Sequence, residues 1–443
     1  MSIKRNITLS YAIQIINTGL TFAASVFITR ILGTEGRGEF AVYSNALVIA
    51  SIWLGFSLPS SIVYFVSSKK LNPGKMLTTM LWFCLTTTIL VTLTIMLLIH
   101  EKKTWLIFPE NYKNYFWIGL FIVQFFLAQV NSVLNAFLNA RKVFIPQAVF
   151  GSIVTAISVI VWLLLYFKII HVPYTGFAIV VLITFLFSLP PILWNLFLLN
   201  TVSKIDFTFK IIDFKSFMVI LKFALIAYAC NAIQILSYRM DLWFVDYYHG
   251  KSETGIYSLA VSLAQLIWIL PNTMSGVLLT YLSGSTRDEA IAVTLKYARL
   301  AIYSSLLFAV FCSIVFYFAI PLVFGSEFEF TRILIILLFT GIVPFSITTI
   351  LATFNASINK PVYNLWTTLW GFVFALVFYV LLIPRIGSMG AAIASSISYN
   401  ACNVYIFYKF YKTTQQKIWL LLPLKADYIN FKFQVSNYFA KKQ

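Results

Sequence analysis

Long apolar runs separated by short polar segments make up most of the chain. Twelve of them are long enough to cross a bilayer, which takes about 20 mostly apolar residues. The predicted spans are 7–29, 41–66, 78–99, 115–139, 147–168, 174–199, 218–247, 256–281, 300–324, 333–353, 364–384 and 390–411. Continuous runs of this kind are unlike β-barrel strands, which alternate polar and apolar residues over about ten positions. The pattern predicts an all-α polytopic protein with twelve transmembrane helices.

Composition agrees with this interpretation. Of the 443 residues, 60% are hydrophobic and only 10% are charged, which excludes an ordinary water-soluble globular protein. The first apolar run follows Lys4 and Arg5 and has no convincing cleavage site, so we expect an uncleaved first helix. The four cysteines and three histidines have no metal-ligand spacing. We therefore expect no metal site, no cofactor and no catalytic residue.

The distribution of Lys and Arg predicts the orientation in the membrane. The amino end, the even-numbered loops and the tail hold 22 of the 32 basic residues, and the odd-numbered side holds the other 10. Both termini are therefore predicted to be cytoplasmic. The net charge of +18 is then mainly a positive-inside signature, and we expect contact with lipid headgroups rather than with nucleic acid. No loop exceeds about twenty residues, which leaves no room for a soluble catalytic domain.

The two halves of the sequence resemble each other. The segment from Gly33 to Phe40 matches the segment from Gly250 to Tyr257 at an offset of 217, and later matches follow at nearly the same offset: 139–140 on 355–356, 146 on 361, and 176–179 on 390–393. Six helices per half predict two lobes inserted the same way up. The predicted divisions are a first lobe at 1–200, a cytoplasmic loop at 201–217, a second lobe at 218–411 and a basic cytoplasmic tail at 412–443. We expect the glycines to form tight turns between helices rather than to contact a ligand.

Polar side chains recur along one face of the first helix of each half. At the offset of 217, Gln14 falls on Asn231, Asn17 on Gln234 and Thr21 on Tyr238, and the spacings of three and four place each set on one helix face. A further stripe of Gln124, Asn131, Asn135 and Asn139 follows the fourth helix. These stripes could line a polar cavity, or they could form hydrogen bonds between helices.

Two charges lie inside the seventh span. Arg239 and Asp241 each cost roughly 2.5 to 3.5 kcal/mol at membrane depth, so such residues usually face a bundle interior or a polar cavity. They are about 200° apart around the helix and are not expected to pair with each other. The matching positions in the first half are Phe22 and Ala24, so the charges belong to the second half alone. A structural alternative is that Arg239 reaches the interface or meets Asp246.

The order and spacing of several motifs carry a family resemblance over nearly the whole chain. They are Arg30 to Gly33 with Gly38 to Phe40, Tyr238 to Asp241 with Gly255 to Ala260, and Ile386 and Gly387 with Gly390 to Ala392. In these motifs the chain resembles the polysaccharide-transport branch of the multidrug/oligosaccharidyl-lipid/polysaccharide exporter superfamily, the Wzx-type repeat-unit flippases. The resemblance implies two six-helix lobes in a V, alternating between inward-open and outward-open states around a cavity.

The resemblance also implies a cargo, an oligosaccharide repeat unit on undecaprenyl diphosphate, used for O-antigen, capsule or exopolysaccharide in a bacterial inner membrane. Arg239 and Arg30 suit the diphosphate, because a guanidinium donates paired hydrogen bonds to phosphate oxygens. The amide stripes and Tyr238 suit sugar hydroxyls, and Asp241 could bind a coupling proton or sodium ion. Membrane lipids are expected partners, and a polymerase and a chain-length protein are possible ones. The alternatives are a cation-coupled drug antiporter of the same superfamily and a membrane-embedded glycan polymerase or acyltransferase.

Overall fold

A computed structural model describes residues 3–56, 58–67, 73–202, 214–282 and 285–421. Within these ranges all the regular elements are helical. The α-helices are α1 (Ile3–Gly55), α2 (Leu58–Ser67), α3 (Pro73–His100), α4 (Tyr115–Ala140), α5 (Phe144–Tyr166), α6 (Phe177–Thr201), α7 (Phe214–Ala264), α8 (Ile269–Leu282), α9 (Arg287–Ala319), α10 (Thr331–Ser357) and α11 (Val362–Thr414). Short 3₁₀ or π turns lie at Thr104–Leu106, Glu110–Tyr112, Gln265–Trp268, Ile320–Phe324, Ser326–Phe328 and Ile418–Leu421.

Nine apolar stretches in the described ranges are long enough to cross a membrane. The predicted all-α polytopic membrane fold is therefore confirmed. Three of the stretches have 43, 49 and 53 residues; they lie in α1, in α7 with its continuation to Gly276 of α8, and in α11. A straight helix of 43 residues would be about 65 Å long, roughly twice the hydrocarbon thickness of a bilayer. Each of these three helices contains a backbone break, and the count of twelve spans stays a prediction.

Glycines provide these breaks, and two of them lie at the offset of the sequence repeat. Gly33 in α1 has φ 65° and ψ −169°, and Gly250 in α7 has φ 82° and ψ −178°. This region of backbone space is open essentially to glycine alone. Gly38 and Gly255 continue their helices. The prediction of a turn therefore holds for the first glycine of each motif and not for the second.

The backbone conformation at the end of α4 is repeated at the end of α10. Lys142 and Asn359, which are 217 residues apart, both have left-handed backbone, with φ 61° and 58°. Around them, the Val143 amide donates to the Leu138 carbonyl at 2.9 Å, and the Lys360 amide donates to Asn355 at 2.8 Å. The backbone therefore repeats here at an offset of 217, whereas the sequence match of 139–140 on 355–356 has an offset of 216.

Further along the chain the sequence match gives the wrong partner. The sequence match pairs Gly176 with Gly390, but Gly390 lies in the regular part of α11. Gly387 instead has φ 56° and ψ −136°, close to the 58° and −133° of Gly176. The neighbouring Ala and Ile residues misled the alignment because they are common packing residues, whereas the break depends on a single glycine.

Contacts divide the chain into two compact units, Met1–Ile235 and Leu236–Gln443. In the first unit α4 packs against α2, α3 and α6, while α1 packs against α5 and α6. In the second unit α10 packs against α8, α9 and α11. Much of the predicted 201–217 loop and of the 412–443 tail lies outside the described residues, so those divisions stay predictions.

Close helix packing in the second unit depends on small residues. A Cβ atom on Gly341 of α10 would lie 2.5 Å from the Ser396 Cα of α11. A Cβ atom on Gly371 would lie 2.3 Å from the Cys402 sulfur. Membrane helices lack a strong hydrophobic drive to associate, so contacts at this distance supply much of the packing energy. The two halves of α11 are thereby fixed against each other and against α10.

Candidate functional site

A buried polar cluster surrounds Asp241 in the second unit. The Tyr257 hydroxyl donates to Asp241 Oδ2 at 2.6 Å, and the Leu242 amide donates to Oδ1 at 2.8 Å. The Ser395 hydroxyl lies 3.4 Å from Oδ2. Asp241 is 2% exposed and Tyr257 is fully buried. A carboxylate at membrane depth is therefore held by donors rather than left uncompensated.

The cluster connects four helical segments. Asp241 precedes the Gly250 break in α7 and Tyr257 follows it, while Tyr379 and Ser395 lie on either side of the α11 break. The Tyr379 hydroxyl donates to the Ser237 carbonyl at 2.9 Å and lies 3.1 Å from the Ser395 hydroxyl. A hydroxyl can act as donor or acceptor, so the direction of the hydrogen bond between Tyr379 and Ser395 can change. Arg239 also interacts electrostatically with the Asp241 carboxylate.

Aromatic rings surround Tyr238, one of the residues predicted to bind substrate. Its ring centroid lies 5.0 Å from Trp268, 5.5 Å from Tyr399 and 6.3 Å from Phe345. Aromatic pairs at such distances stabilise by about 0.5–1.5 kcal/mol beyond burial. Tyr238 thus has a packing role, which sequence spacing alone did not indicate.

A second polar layer joins the breaks in α7 and α11. Glu253 Oε1 accepts the Ser388 amide at 2.6 Å and the Ser388 hydroxyl at 2.8 Å. His249 lies beside it, with Nδ1 3.4 Å from the Glu253 carboxylate and Nε2 2.7 Å from the Ile383 carbonyl. A Cβ atom on Gly387 would lie 2.2 Å from Glu253. This layer explains why glycine is needed at that break.

Asp246 forms an ion pair with Lys251, at 2.6 Å. Arg239 would therefore have to compete with Lys251 for the Asp246 carboxylate in order to form the suggested contact. The other carboxylate oxygen of Asp246 is buried and makes no hydrogen bond within the described part of the chain.

One residue of the first-helix stripe, Thr21, lines an open cavity on the first unit. The cavity has a volume of about 290 Å³ and lies between α1, α5 and α6. Its lining includes Ala24, Trp162 and the hydroxyl-bearing residues Thr21, Thr155, Ser158, Thr184 and Ser188. Each of these hydroxyls donates to a backbone carbonyl three or four residues earlier. Because their protons are used in this way, the oxygens can offer the cavity only acceptor lone pairs.

The remaining first-helix candidates have different surroundings. Gln14 and Asn231 are exposed, whereas Asn17, Gln234 and Arg30 are half-buried. Within the described residues, the side-chain oxygen of Asn17 is buried and accepts no hydrogen bond. Its position, one turn before Thr21, places an unused acceptor near the cavity end of the stripe.

The fourth-helix stripe divides into two groups. Gln124 accepts the Tyr43 hydroxyl at 2.7 Å and donates to the Val181 carbonyl at 3.3 Å. Asn131 and Asn135 both accept from the Asn195 amide, at 2.9 Å each. Asn135 also accepts from Gln147, and Asn139 is exposed. The stripe thus makes the hydrogen bonds between helices that we considered as its alternative role, while Asn131 and Asn135 stay half-buried.

The charge of Asp241 within an apolar span marks it as a site residue, but the sequence pattern does not point to its partners. Tyr257 belongs to the Gly255 to Ala260 motif, yet nothing in that motif points to a carboxylate sixteen residues earlier. Tyr379 and Ser395 come from α11, and no periodicity links them to α7. Asn195 lies on the apolar helix α6, and its 2% exposure is the signal that a search for buried amides would use.

Comparisons with known proteins agree with this fold. The structure of the lipid II flippase MurJ in an inward closed conformation is similar, with a TM-score of 0.70 and 15% identity, and the match covers 91% of this chain and 87% of that one. A multidrug resistance MATE transporter of the MOP superfamily in an inward-facing conformation matches with a TM-score of 0.66, 15% identity and coverage of 93% and 100%. A multidrug resistance MATE family transporter of the MOP superfamily in an outward-facing conformation matches with a TM-score of 0.60 and 15% identity, and the match covers 94% of this chain and 97% of that one. No match was found among curated protein sequences.

A sequence profile identifies the family directly. The profile described as "Polysaccharide biosynthesis protein" matches residues 3–286, which is more than half of the chain. The predicted resemblance is therefore confirmed at the level of the family and of the exporter fold. This multi-pass membrane protein belongs to the polysaccharide biosynthesis protein family.

Proposed function

We propose that this protein flips an oligosaccharide linked to undecaprenyl diphosphate across the bacterial cytoplasmic membrane, without making or breaking a covalent bond. The observation that carries the proposal is the match of a polysaccharide biosynthesis profile to a chain with a transporter fold. A charged sugar headgroup cannot cross hydrocarbon unaided, whereas its lipid tail never has to leave it. The units would then serve O-antigen, capsule or exopolysaccharide synthesis, and the polymerase and its chain-length partner would receive them.

Two kinds of side chain would hold the headgroup. Arg239 and Arg30 would bind the diphosphate oxygens through paired, charge-assisted hydrogen bonds. The amides Gln14, Asn17, Asn131, Asn135, Asn231 and Gln234, together with Tyr238, would bind sugar hydroxyls. The acceptor oxygens around the first-unit cavity support this division, because sugar hydroxyls are donors that such oxygens can receive.

Asp241 would couple transport to a proton or a sodium ion. This role is supported by the environment of the carboxylate, which accepts hydrogen bonds from hydroxyl groups of the same unit. The shortest of these is from Tyr257, at 2.6 Å. Binding a cation would weaken the pull of the carboxylate on Tyr257. The four segments that meet there could then shift relative to one another inside the second unit.

The function is tested by purifying the protein into liposomes that contain a fluorescent oligosaccharide on undecaprenyl diphosphate. A membrane-impermeant quencher should reach label from both leaflets only when the protein is present. A deletion strain should accumulate complete lipid-linked units whose headgroups stay on the cytoplasmic side. If the units are found outside but unpolymerised, the protein is a polymerase instead. Normal glycan with raised sensitivity to cationic drugs would identify an antiporter.

Substitutions test the proposed site residues. Arg239→Ala and Asp241→Asn should reach the membrane at normal levels and lose most of the flipping, whereas Arg385→Ala should keep it. Arg385 is a suitable control because it is an exposed arginine near the predicted outer end of the first half of α11. Full flipping by both site variants would overturn these roles.

A further inference from the structure

An apolar groove lies on the second unit, along the two halves of α11. It has a volume of about 500 Å³. Its lining residues are Trp370, Phe374, Ile397, Asn400, Ala401, Val404, Tyr405 and Tyr408. The groove is open, since Val404 is 71% exposed and Trp370 is 47% exposed. The rings of Trp370 and Tyr405 stack at 6.4 Å across its floor.

The single amide in the groove has its hydrogen bonds filled. Asn400 donates to the Thr340 carbonyl at 3.3 Å and to the Ser396 carbonyl at 2.9 Å, and it accepts from Asn403 at 3.4 Å. A ligand in the groove therefore gains little from polar groups of its own. Apolar surface is the chemistry that the groove recognises.

Two cations lie at one end of this groove. The Lys409 ammonium is 5.4 Å from the Tyr405 ring centroid and 5.6 Å from that of Tyr408, both of which line the groove. Lys409 and Lys360 also approach one further ring, that of Tyr363, at 5.2 and 5.5 Å. In the part of the chain that the structure describes, neither ammonium is paired with a carboxylate.

The dimensions match one leaflet of a membrane. From Ile397 to Tyr408 the helix rises about 16 Å, which is close to half of the roughly 30 Å hydrocarbon core. Lys360 and Lys409 lie on the side that the Lys/Arg distribution predicts to be cytoplasmic. An occupant would therefore place an apolar chain in the cytoplasmic leaflet and an anionic group at its surface.

We propose that the groove holds the polyprenyl chain of a polyprenyl-diphosphate lipid, with the diphosphate between Lys360 and Lys409. The inference rests on the proposed function and adds to it a docking site for the cargo in the leaflet where the cargo begins. A single furrow between two helical segments fits a lipid with one chain better than one with two. Paired cations fit a diphosphate, because each can neutralise one phosphate group.

The test uses the full-length protein in phosphatidylcholine nanodiscs and a photoreactive polyprenyl diphosphate as the probe. Labelling should fall within residues 362–414. Val404→Trp fills the groove and should reduce labelling about tenfold, and Lys360→Gln and Lys409→Gln should each weaken binding roughly threefold to tenfold. The matched controls, which should label normally, are Val310→Trp and Lys296→Gln, both at exposed positions of α9.

Three results would overturn the inference. The first is labelling outside α11, the second is normal labelling of Val404→Trp, and the third is equal competition by phosphatidylglycerol, which would identify a general anionic-lipid site. Flipping by the wild-type protein in liposomes separates this inference from the proposed function. Wild-type flipping with normal labelling of Val404→Trp would refute the groove alone, whereas no wild-type flipping would refute the function.

Discussion

Replacing Tyr257 with Phe should destabilise the protein more than any other removal of a single hydroxyl from the Asp241 cluster. The ring stays, so apolar packing is conserved, but the donor 2.6 Å from Asp241 Oδ2 is lost. Hydrogen bonds to charged groups contribute about 1.5–3 kcal/mol. Among the described residues, the hydrogen bond left to Oδ2 would be the long contact from Ser395 at 3.4 Å. We therefore expect the free energy of unfolding to fall by about 2–3 kcal/mol.

Tyr379→Phe is the matched control. This tyrosine is equally buried, but its hydroxyl donates to the neutral Ser237 carbonyl. A neutral hydrogen bond is worth only about 0.5–1.5 kcal/mol, so the expected loss is smaller. The double variant of Tyr257→Phe with Asp241→Asn completes a mutant cycle. If the bond is charge-assisted, the coupling energy should be about 1–2 kcal/mol.

The measurement is equilibrium unfolding of the purified proteins in mixed micelles, followed by tryptophan fluorescence, with membrane expression as a check on folding. Equal losses for Tyr257→Phe and Tyr379→Phe would refute the reasoning. A coupling energy below about 0.5 kcal/mol would also refute it, because independent sites give values of that size.

Three further predictions concern the backbone, the packing and the topology. Gly250→Ala should cost about 1–3 kcal/mol of unfolding free energy because of its left-handed φ, whereas Gly276→Ala, in a regular helix with open space around it, should be neutral or slightly stabilising. Thermal unfolding in detergent compares the two. Gly341→Ala should cost roughly 1–3 kcal/mol or abolish folding, because the new atom meets the Ser396 backbone, and normal melting would contradict it. A cysteine at position 252, as Ser252→Cys, should react with an impermeant maleimide from outside the cell; reaction only from the cytoplasmic side would invert the predicted topology.

The sequence predicted the features that depend on local patterns. Apolar length predicted the membrane helices, and the glycine of each repeated motif marked a backbone break. Gly33 and Gly250 could be found because a left-handed φ restricts the residue type strongly, so the constraint is visible at a single position. The later register was wrong because Gly390 sits in a small-residue segment, where packing against the Leu382 carbonyl also selects glycine.

The partners of the polar residues could not be predicted, because they come from distant segments. Ser395 is 154 residues from Asp241, and Asn195 is 60 residues from Asn135. Such contacts depend on how α11 packs on α7 and how α6 packs on α4, which no helical period specifies. Spacing showed which faces were polar, and the tertiary structure decided whether those faces meet another helix or a cavity.

At the repeat offset of 217, matching positions in the two units carry different side chains. Asp241 corresponds to Ala24, and its donor Tyr257 corresponds to Phe40. A buried carboxylate without its donor costs several kcal/mol, so acceptor and donor are favoured only together. In the second unit the pair fills this position with a hydrogen-bonded network. In the first unit the small side chain of Ala24 lines a cavity of about 290 Å³ instead. Under the proposed function, the first unit would use this position to leave space for a ligand and the second would use it to hold a charge.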